Sequence, residues 1–495
     1  MARWFVDRSA QRGIPSVSLR TLLPDARFLG CNDLVVSGCS ADSRRLDPGQ
    51  VFVAVRGARH DGHAFVGRAL ERGASAVVVE RPCAGAGPLQ IVVADTRAAM
   101  ARLRQALAGD PSETLPVIGI AGTRGKTAAH LFARAIFEAA GIRTGSVEPF
   151  SWSDGVDAHP SGPDTGGLAD RLAAMLDRGC GAAVVEVAWP TLERREVAGL
   201  SFDAAIATTL AGPEGEPAES RHRRRALTAR LFRAIHPGGA AIVNADDPDA
   251  DLMASVNLHA RQVTFALDAP ADVSARIDRL DAAGTRLRLR GFDREGTMTL
   301  RPVGKAVVRH ALAAAALAWW RGLPIAAVAE GLQAVAAVPG RLEVAAEGVY
   351  VDRARTASEL AEALAALREL GPGRIHCVVG AEGLRDPGGR AALARAAERG
   401  ADRLVLTTDN PRGEDPDRIL DDLLAGLRCP GHARIEPDRR KAIASTLSLA
   451  EPGDRVLIAG KGRNAFQILA DRAIPCDDGQ FASECLRPAA RRRSA

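Results

Sequence analysis

The chain has 495 residues, of which 46% are hydrophobic and 25% charged, with 65 Lys and Arg against 60 Asp and Glu. That length exceeds one ordinary core and predicts about two to four domains. The composition is that of a globular chain, and a net charge of +5 excludes a strongly single-signed coat for nucleic acid or a membrane surface. No apolar run reaches transmembrane length, and MARWFVDRSAQRG lacks the apolar core and cleavage site of a secretion signal. The expectation is a cytoplasmic monomer with no nucleic-acid partner and no membrane insertion. RHRRR (221–225) and RRR (491–493) read as a solvated surface and a loose tail. Cys31, Cys39, Cys83, Cys180, Cys377, Cys429, Cys476 and Cys485 form no C-x-x-C pair, so reduced thiols are expected.

The predicted class is α/β throughout. Residues 1–110 alternate short apolar runs (QVFVAV, SAVVVE, LQIVVAD) with helical stretches such as HAFVGRALERGA. Residues 111–337 open on LPVIGI and continue through AAVVEVA, DAAIATTL and GAAIVNADDP, which predicts a mostly parallel sheet covered on both faces. A polar stretch (VTFAL, VSARIDRL, TRLRLRGF) follows and is expected to be antiparallel, before the alanine-rich helix VVRHALAAAALAWWRG. Pro-Gly in VPGR (338–341) marks the next boundary. Residues 338–488 hold IHCVVGA, RLVLTTD and RVLIAGKG, the pattern of a Rossmann-like sheet, and 489–495 read as a disordered basic tail.

The stretch VIGIAGTRGKTAAH (117–130) places a glycine loop between a strand and a helix. Backbone N–H groups and the helix dipole then converge where a phosphate would sit. Gly122 and Gly125 allow the tight path, Lys126 can reach the β- and γ-phosphates, and Thr127 can offer its hydroxyl to Mg2+. Ile120 stands where a generic phosphate loop has glycine.

The spelling G-T-x-G-K-T resembles the Mur ligase family. Residues 41–80 resemble the N-terminal uridine-nucleotide domain of its MurE type, and PGRLE (339–343), TTDNPRGEDP (407–416) and GDRVLIAGKG (453–462) extend the likeness over almost the whole chain. The resemblance implies three domains: 1–110 for the UDP-substrate, 111–337 for ATP on a central P-loop sheet, and 338–488 for the amino acid. It implies an ATP-dependent, Mg2+-dependent ligase that adds an amino acid, meso-diaminopimelate from the DNPR motif, to UDP-MurNAc-L-Ala-D-Glu through an acyl phosphate. The residues carried over are Gly122, Thr123, Arg124, Gly125, Lys126, Thr127 and Arg341 for ATP, and Thr127 and Glu186 for the metal. Lys126, Glu186 and Asp352 are carried over for catalysis. Ser43, Arg59, His60 and Ser161 are carried over for the UDP-substrate, and Arg385, Asn410, Arg412, Gly460 and Asn464 for the amino acid.

The chain also departs from the family pattern. Ala188-Trp189-Pro190 replaces a Ser-Ser-His run, Glu196 stands for an arginine, and Ser161-Gly162-Pro163 for Thr-Thr-Pro. Pro213-Glu214 takes the place of an Asp-His pair whose histidine ligates a second Mg2+. Thr228 stands where the family carries a carbamylated lysine, and no lysine lies between Lys126 and Lys305 to replace it. Arg353 and Arg355 replace tyrosine and histidine, and Asn464 a glutamate. Two classes therefore stand at this stage: an active amide ligase, and a degenerate MurE-like pseudoenzyme that binds nucleotide as a regulatory or scaffold protein.

Overall fold

A computed structural model describes residues 16–57, 60–85, 89–149, 151–161, 167–212, 216–384 and 387–487. Arg59, Arg385, Gly162-Pro163, Pro213-Glu214 and the basic tail lie outside the described residues. The chain divides into two compact units. The first holds the described residues up to Ala211, with Pro217–Asp272 and Ala313–Val328; the second holds Val273–Leu312 and the described residues from Ala329 onward.

Among the described residues the first unit carries two large sheets and a short antiparallel pair, Val17–Ser18 with Val35–Val36. The smaller of the two large sheets runs Arg27–Leu29, Gln90–Val92, Ala76–Val79, Val51–Val53 and Cys39–Ser40 in spatial order, antiparallel only at its first joint. Side chains alternate across it as a strand's period of two dictates. Val51 and Val53 enter a core with Leu19, Val78 and Ile91, while Phe52 and Ala54 enter another with Val66, Ala69 and Val77.

The larger sheet orders Thr144–Val147, Ala182–Glu186, Val117–Ala121, Phe202–Ala207, Ile235–Asn244 and Arg261–Ala266 as parallel neighbours. Ser151–Ser153 and Ala158–Pro160 add an antiparallel edge. Val117–Ala121 lies between strands that come later in the chain, one on each side. It therefore ends at the topological switch point, where open α/β sheets place their ligands. The stretch expected to be antiparallel is divided: Arg261–Ala266 runs parallel to Ile235–Asn244. Val273–Asp281, Gly284–Arg290 and Gly296–Leu300, in the second unit, pair antiparallel as expected.

The second unit also holds a six-stranded sheet ordered Glu343–Ala346, Val349–Asp352, Arg455–Ala459, Ile375–Val379, Arg403–Leu406 and Ala433–Ile435. All joints but the first are parallel. Cys377, Val379 and Leu457 enter the core under helices Ala357–Glu369, Pro387–Gly400 and Pro416–Leu424. Val378, Val456 and Ile458 enter the opposite core under Arg439–Leu449 and Asp478–Leu486. The sheet is thus covered on both faces, which is why its strands read as unbroken apolar runs. All eight cysteines are free thiols, with Cys180, Cys377 and Cys476 buried.

Candidate active site

The phosphate loop leaves the fully buried strand Val117–Ala121 and enters helix Lys126–Ala139 at Gly125, whose φ of 82° needs glycine. Gly122 has φ 149°, and a Cβ there would meet Thr208 Oγ1 at 2.2 Å and Thr209 O at 2.9 Å. The loop is therefore pressed against the end of the neighbouring strand. Thr123 N donates to Thr209 O at 2.6 Å, and Thr123 Oγ1 donates to Thr209 O at 2.8 Å and Ala211 O at 3.0 Å. Thr208 Oγ1 donates to Arg124 O at 2.5 Å. Asp247 Oδ2 fixes the partner segment by accepting from Leu210 N and Ala211 N at 2.6 and 3.0 Å. Lys126 Nζ folds back over the loop and donates to Gly122 O at 2.9 Å.

Thr127, one residue into the helix, donates its hydroxyl to Glu186 Oε2 at 2.8 Å. Glu186 closes the strand beside the loop, paired in register with Ile120, and is 9% exposed. A hydroxyl and a carboxylate are hard oxygen donors. Mg2+ takes one or two carboxylates and completes its shell with water and phosphate oxygens, so this pair fits it. Among the described residues no group of three or more His, Cys, Asp and Glu is placed to hold a metal.

Thr228 does not fit the role of a metal support. It is fully buried in helix Ala218–Arg233, and its hydroxyl donates to Arg224 O of the same helix at 3.0 Å. RHRRR, in that helix, is not all solvated either. Arg224 is buried, with its guanidinium carbon 5.8 Å from the Trp189 ring centre, and Arg225 pairs with Asp249.

A cavity of about 880 Å3 opens beside Glu186, with Ser161, Glu148, Arg171, Arg194 and Glu196 in its wall. Ser161 is thus brought to the same place as Glu186, and its hydroxyl is buried without a hydrogen-bond partner among the described residues. Ser43 is buried near this cavity in sequence only, through Ala41, and His60 is exposed with its ring edge-on to Phe65. Glu148 and His130 were not expected here. Burial pushes the Glu148 carboxyl up, and the charge of Glu186 adds to the shift. His130 Nε2 lies 3.6 Å from Glu148 Oε1, and complete burial pushes its pKa down to about 3, so the ring is neutral.

In the second unit Arg341 donates to Glu359 at 2.9 Å and lies 3.7 Å from Asp352. Asp352 is 3% exposed and accepts from Leu342 N at 2.8 Å. Burial pushes its carboxyl up to about 6 against the pull of Arg341. Asn410 and Gly460 both flank Asp409: a Cβ on Gly460 would meet Asp409 Oδ2 at 2.5 Å. Asn410 accepts from Ile468 N at 2.8 Å, and Arg412 donates to Glu382. The Asn464 amide oxygen accepts from Phe466 N at 3.2 Å. Beneath this group Arg439, 2% exposed, makes a two-point pair with Asp478 at 2.9 and 2.7 Å. It also donates to Thr408 O and Ala459 O at 3.2 and 3.0 Å, tying together the segments that carry Asp409 and Gly460.

Sequence comparison agrees with this architecture. Residues 35–129 match the model of the Mur ligase family catalytic domain, 120–318 the Mur ligase middle domain, and 340–462 the Mur ligase glutamate ligase domain. A UDP-N-acetylmuramoyl-L-alanyl-D-glutamate–2,6-diaminopimelate ligase of Chlorobium phaeobacteroides is 36% identical over 458 residues, covering 88% of this chain and 89% of that one. The chain belongs to the Mur ligase family. The Aquifex aeolicus ligase of the same name is 33% identical over 479 residues, 95% of this chain and 97% of that one. A solved structure of such a ligase superposes with a TM-score of 0.68 at 25% identity, covering 95% and 98% of the two chains. MurF from Acinetobacter baumannii, at 19% identity and a TM-score of 0.58 over 86% of this chain and 91% of that one, shares the fold. Within the Mur ligases the chain is of the MurE type.

Proposed function

We propose that this Mur ligase joins an amino acid, meso-diaminopimelate, to UDP-MurNAc-L-Ala-D-Glu at the expense of ATP. The substrate carboxylate attacks the γ-phosphorus and ADP leaves; the amine then attacks the acyl carbon, inorganic phosphate leaves, and the amine loses a proton. The observation that carries this reading is the Thr127–Glu186 pair set 2.8 Å apart at the mouth of a glycine-built loop.

In this reading the backbone of Gly122–Thr127 receives the phosphates and Lys126 swings from Gly122 O to the γ-phosphate. Thr127 and Glu186 hold Mg2+, which when bound neutralises charge on the phosphate oxygens. Ser43, Arg59, His60 and Ser161 hold the UDP-substrate. Arg341 and Asp352 serve the nucleotide and the reacting centre, and Arg385, Asn410, Arg412, Gly460 and Asn464 receive the amino acid. No side chain of the protein becomes covalently attached.

One observation favours a second reading, a nucleotide-binding homologue without turnover: Thr228 spends its hydroxyl inside its own helix, leaving no amine there for a carbamate. The test is ADP release with UDP-MurNAc-L-Ala-D-Glu and meso-diaminopimelate, run beside Lys126→Ala. Substrate-dependent release well above that control is expected. Equal rates, with a rise in melting temperature on adding Mg·ATP, would leave only the binding role.

A further inference from the structure

In the second unit a cavity of about 350 Å3 lies beyond the C-terminal ends of the parallel strands, with Arg355, Glu382, Arg390 and Asp409 in its wall. Asp409 is 1% exposed, and its Oδ1 has no hydrogen-bond partner among the described residues. The Asn410 side-chain nitrogen, fully buried beside it in the chain, is equally without one. A buried acceptor and a buried donor left unmatched mark a place for a ligand that carries both kinds of group.

Glu382, also buried at 6% exposure, is gripped from two sides. Arg412 donates to its Oε1 from Nη2 at 2.5 Å and from Nε at 3.2 Å. Arg355 Nη1 stands 3.6 Å from its Oε2, while Arg355 Nε is oriented by Gly460 O at 3.0 Å. Arg412 is held at φ 55°, a backbone conformation that arginine rarely adopts without constraint. Two guanidiniums from separate segments closing on one carboxylate is how proteins capture a carboxylate ligand. Here the carboxylate belongs to the chain itself.

We propose that Glu382 is a specificity-determining residue: an internal carboxylate that occupies Arg412 and Arg355 and must be displaced by a carboxylate of the incoming amino acid. This rests on the ligase reading above. An amino acid then binds only to the extent that it outcompetes a group already in place. A ligand with a carboxylate at one end and an ammonium for Asp409 at the other does so better than one carrying either alone.

The test replaces Glu382 by Gln, which keeps the shape and removes the charge. If the carboxylate competes, the KM for meso-diaminopimelate falls about tenfold with kcat within about twofold, the difference between a charge-assisted and a neutral hydrogen bond. If Glu382 only positions Arg412, the KM rises. A raised or unchanged KM overturns the proposal. The same amino acid is titrated calorimetrically into both chains with Mg·AMP-PNP and UDP-MurNAc-L-Ala-D-Glu present. In the kinetic assay, run with ATP, absence of phosphate release by the parent chain counts against the ligase reading, while calorimetry still reads the competition. Tighter binding by Glu382→Gln supports the proposal, and equal, weaker or undetectable binding by both chains overturns it. Should that variant melt at a lower temperature than the parent can tolerate, Glu382→Asp, which keeps the charge but withdraws it by one methylene, is read instead. It must bind more tightly than the parent, and equal or weaker binding is again decisive against.

Discussion

The Thr127 hydroxyl and the Glu186 carboxylate meet across 2.8 Å, joining the first turn of the phosphate-loop helix to the end of the strand beside it. Residues 59 positions apart in sequence are brought together because their strands are parallel neighbours, with Glu186 level with Ile120. Substituting Glu186→Gln keeps the hydrogen bond and removes the charge a divalent cation needs. The expected outcome is a loss of about 10²-fold or more in kcat, with the melting temperature little changed. Steady-state ADP release against Mg2+ concentration checks it, and a variant that turns over normally would remove Glu186 from the metal site.

Gly122 faces Thr208 and Thr209 so closely that Gly122→Ala forces the loop away from its neighbouring strand. The expected cost is about 1–3 kcal/mol of stability, through overpacking and the φ of 149°. More telling is the ligand response: the variant should lose most of the thermal shift that Mg·ATP gives the parent. An undiminished shift would mean that the loop's path is not what receives the phosphates.

Asp352 gives a pH signature. Folding raises its pKa from 3.8 to about 6, so the folded chain holds this proton more tightly than the unfolded one. Stabilisation from that group is complete below the unfolded value and is lost as pH rises from 3.8 through about 6. Melting curves of parent and Asp352→Asn should therefore diverge between about pH 4 and pH 6, the parent losing stability relative to the variant as pH rises. Parallel curves would show that Arg341 compensates the carboxylate fully.

Arg439 and Asp478 form an ion pair sealed from solvent, at 2% and 0% exposure. Removing one partner leaves the other charge buried and alone, so Asp478→Ala should lower unfolding stability by about 3–5 kcal/mol in urea titration. Because Arg439 also ties Thr408 to Ala459, weakened amino-acid binding should accompany the loss.

Much of this was legible in the sequence, and what was not has physical reasons. Unbroken apolar runs such as IHCVV and RVLIA announce buried parallel strands, and GTRGKT announces the loop between strand and helix. VTFAL reads like its polar successors, yet it pairs parallel to Ile235–Asn244, because strand direction is set by partners distant in sequence. RHRRR looks solvated in one dimension, whereas Arg224 lies buried against Trp189. Glu382 in GAEG looks like an ordinary loop charge, and within DNPR the motif singles out Asn410 and Arg412 but not Asp409. Only the fold places Glu382 between Arg355 and Arg412, and burial, which decides whether a charge matters, has no local spelling.

Thr228, finally, has a consequence for how the chain can be regulated. A lysine that must capture carbon dioxide to work ties an enzyme's rate to dissolved bicarbonate, and to the pH at which its amine is free. A threonine hydroxyl folded back on Arg224 O can do neither. No carbamate can therefore form at position 228, and degassed buffer is expected to slow a relative that depends on a carbamate there while leaving this chain unmoved.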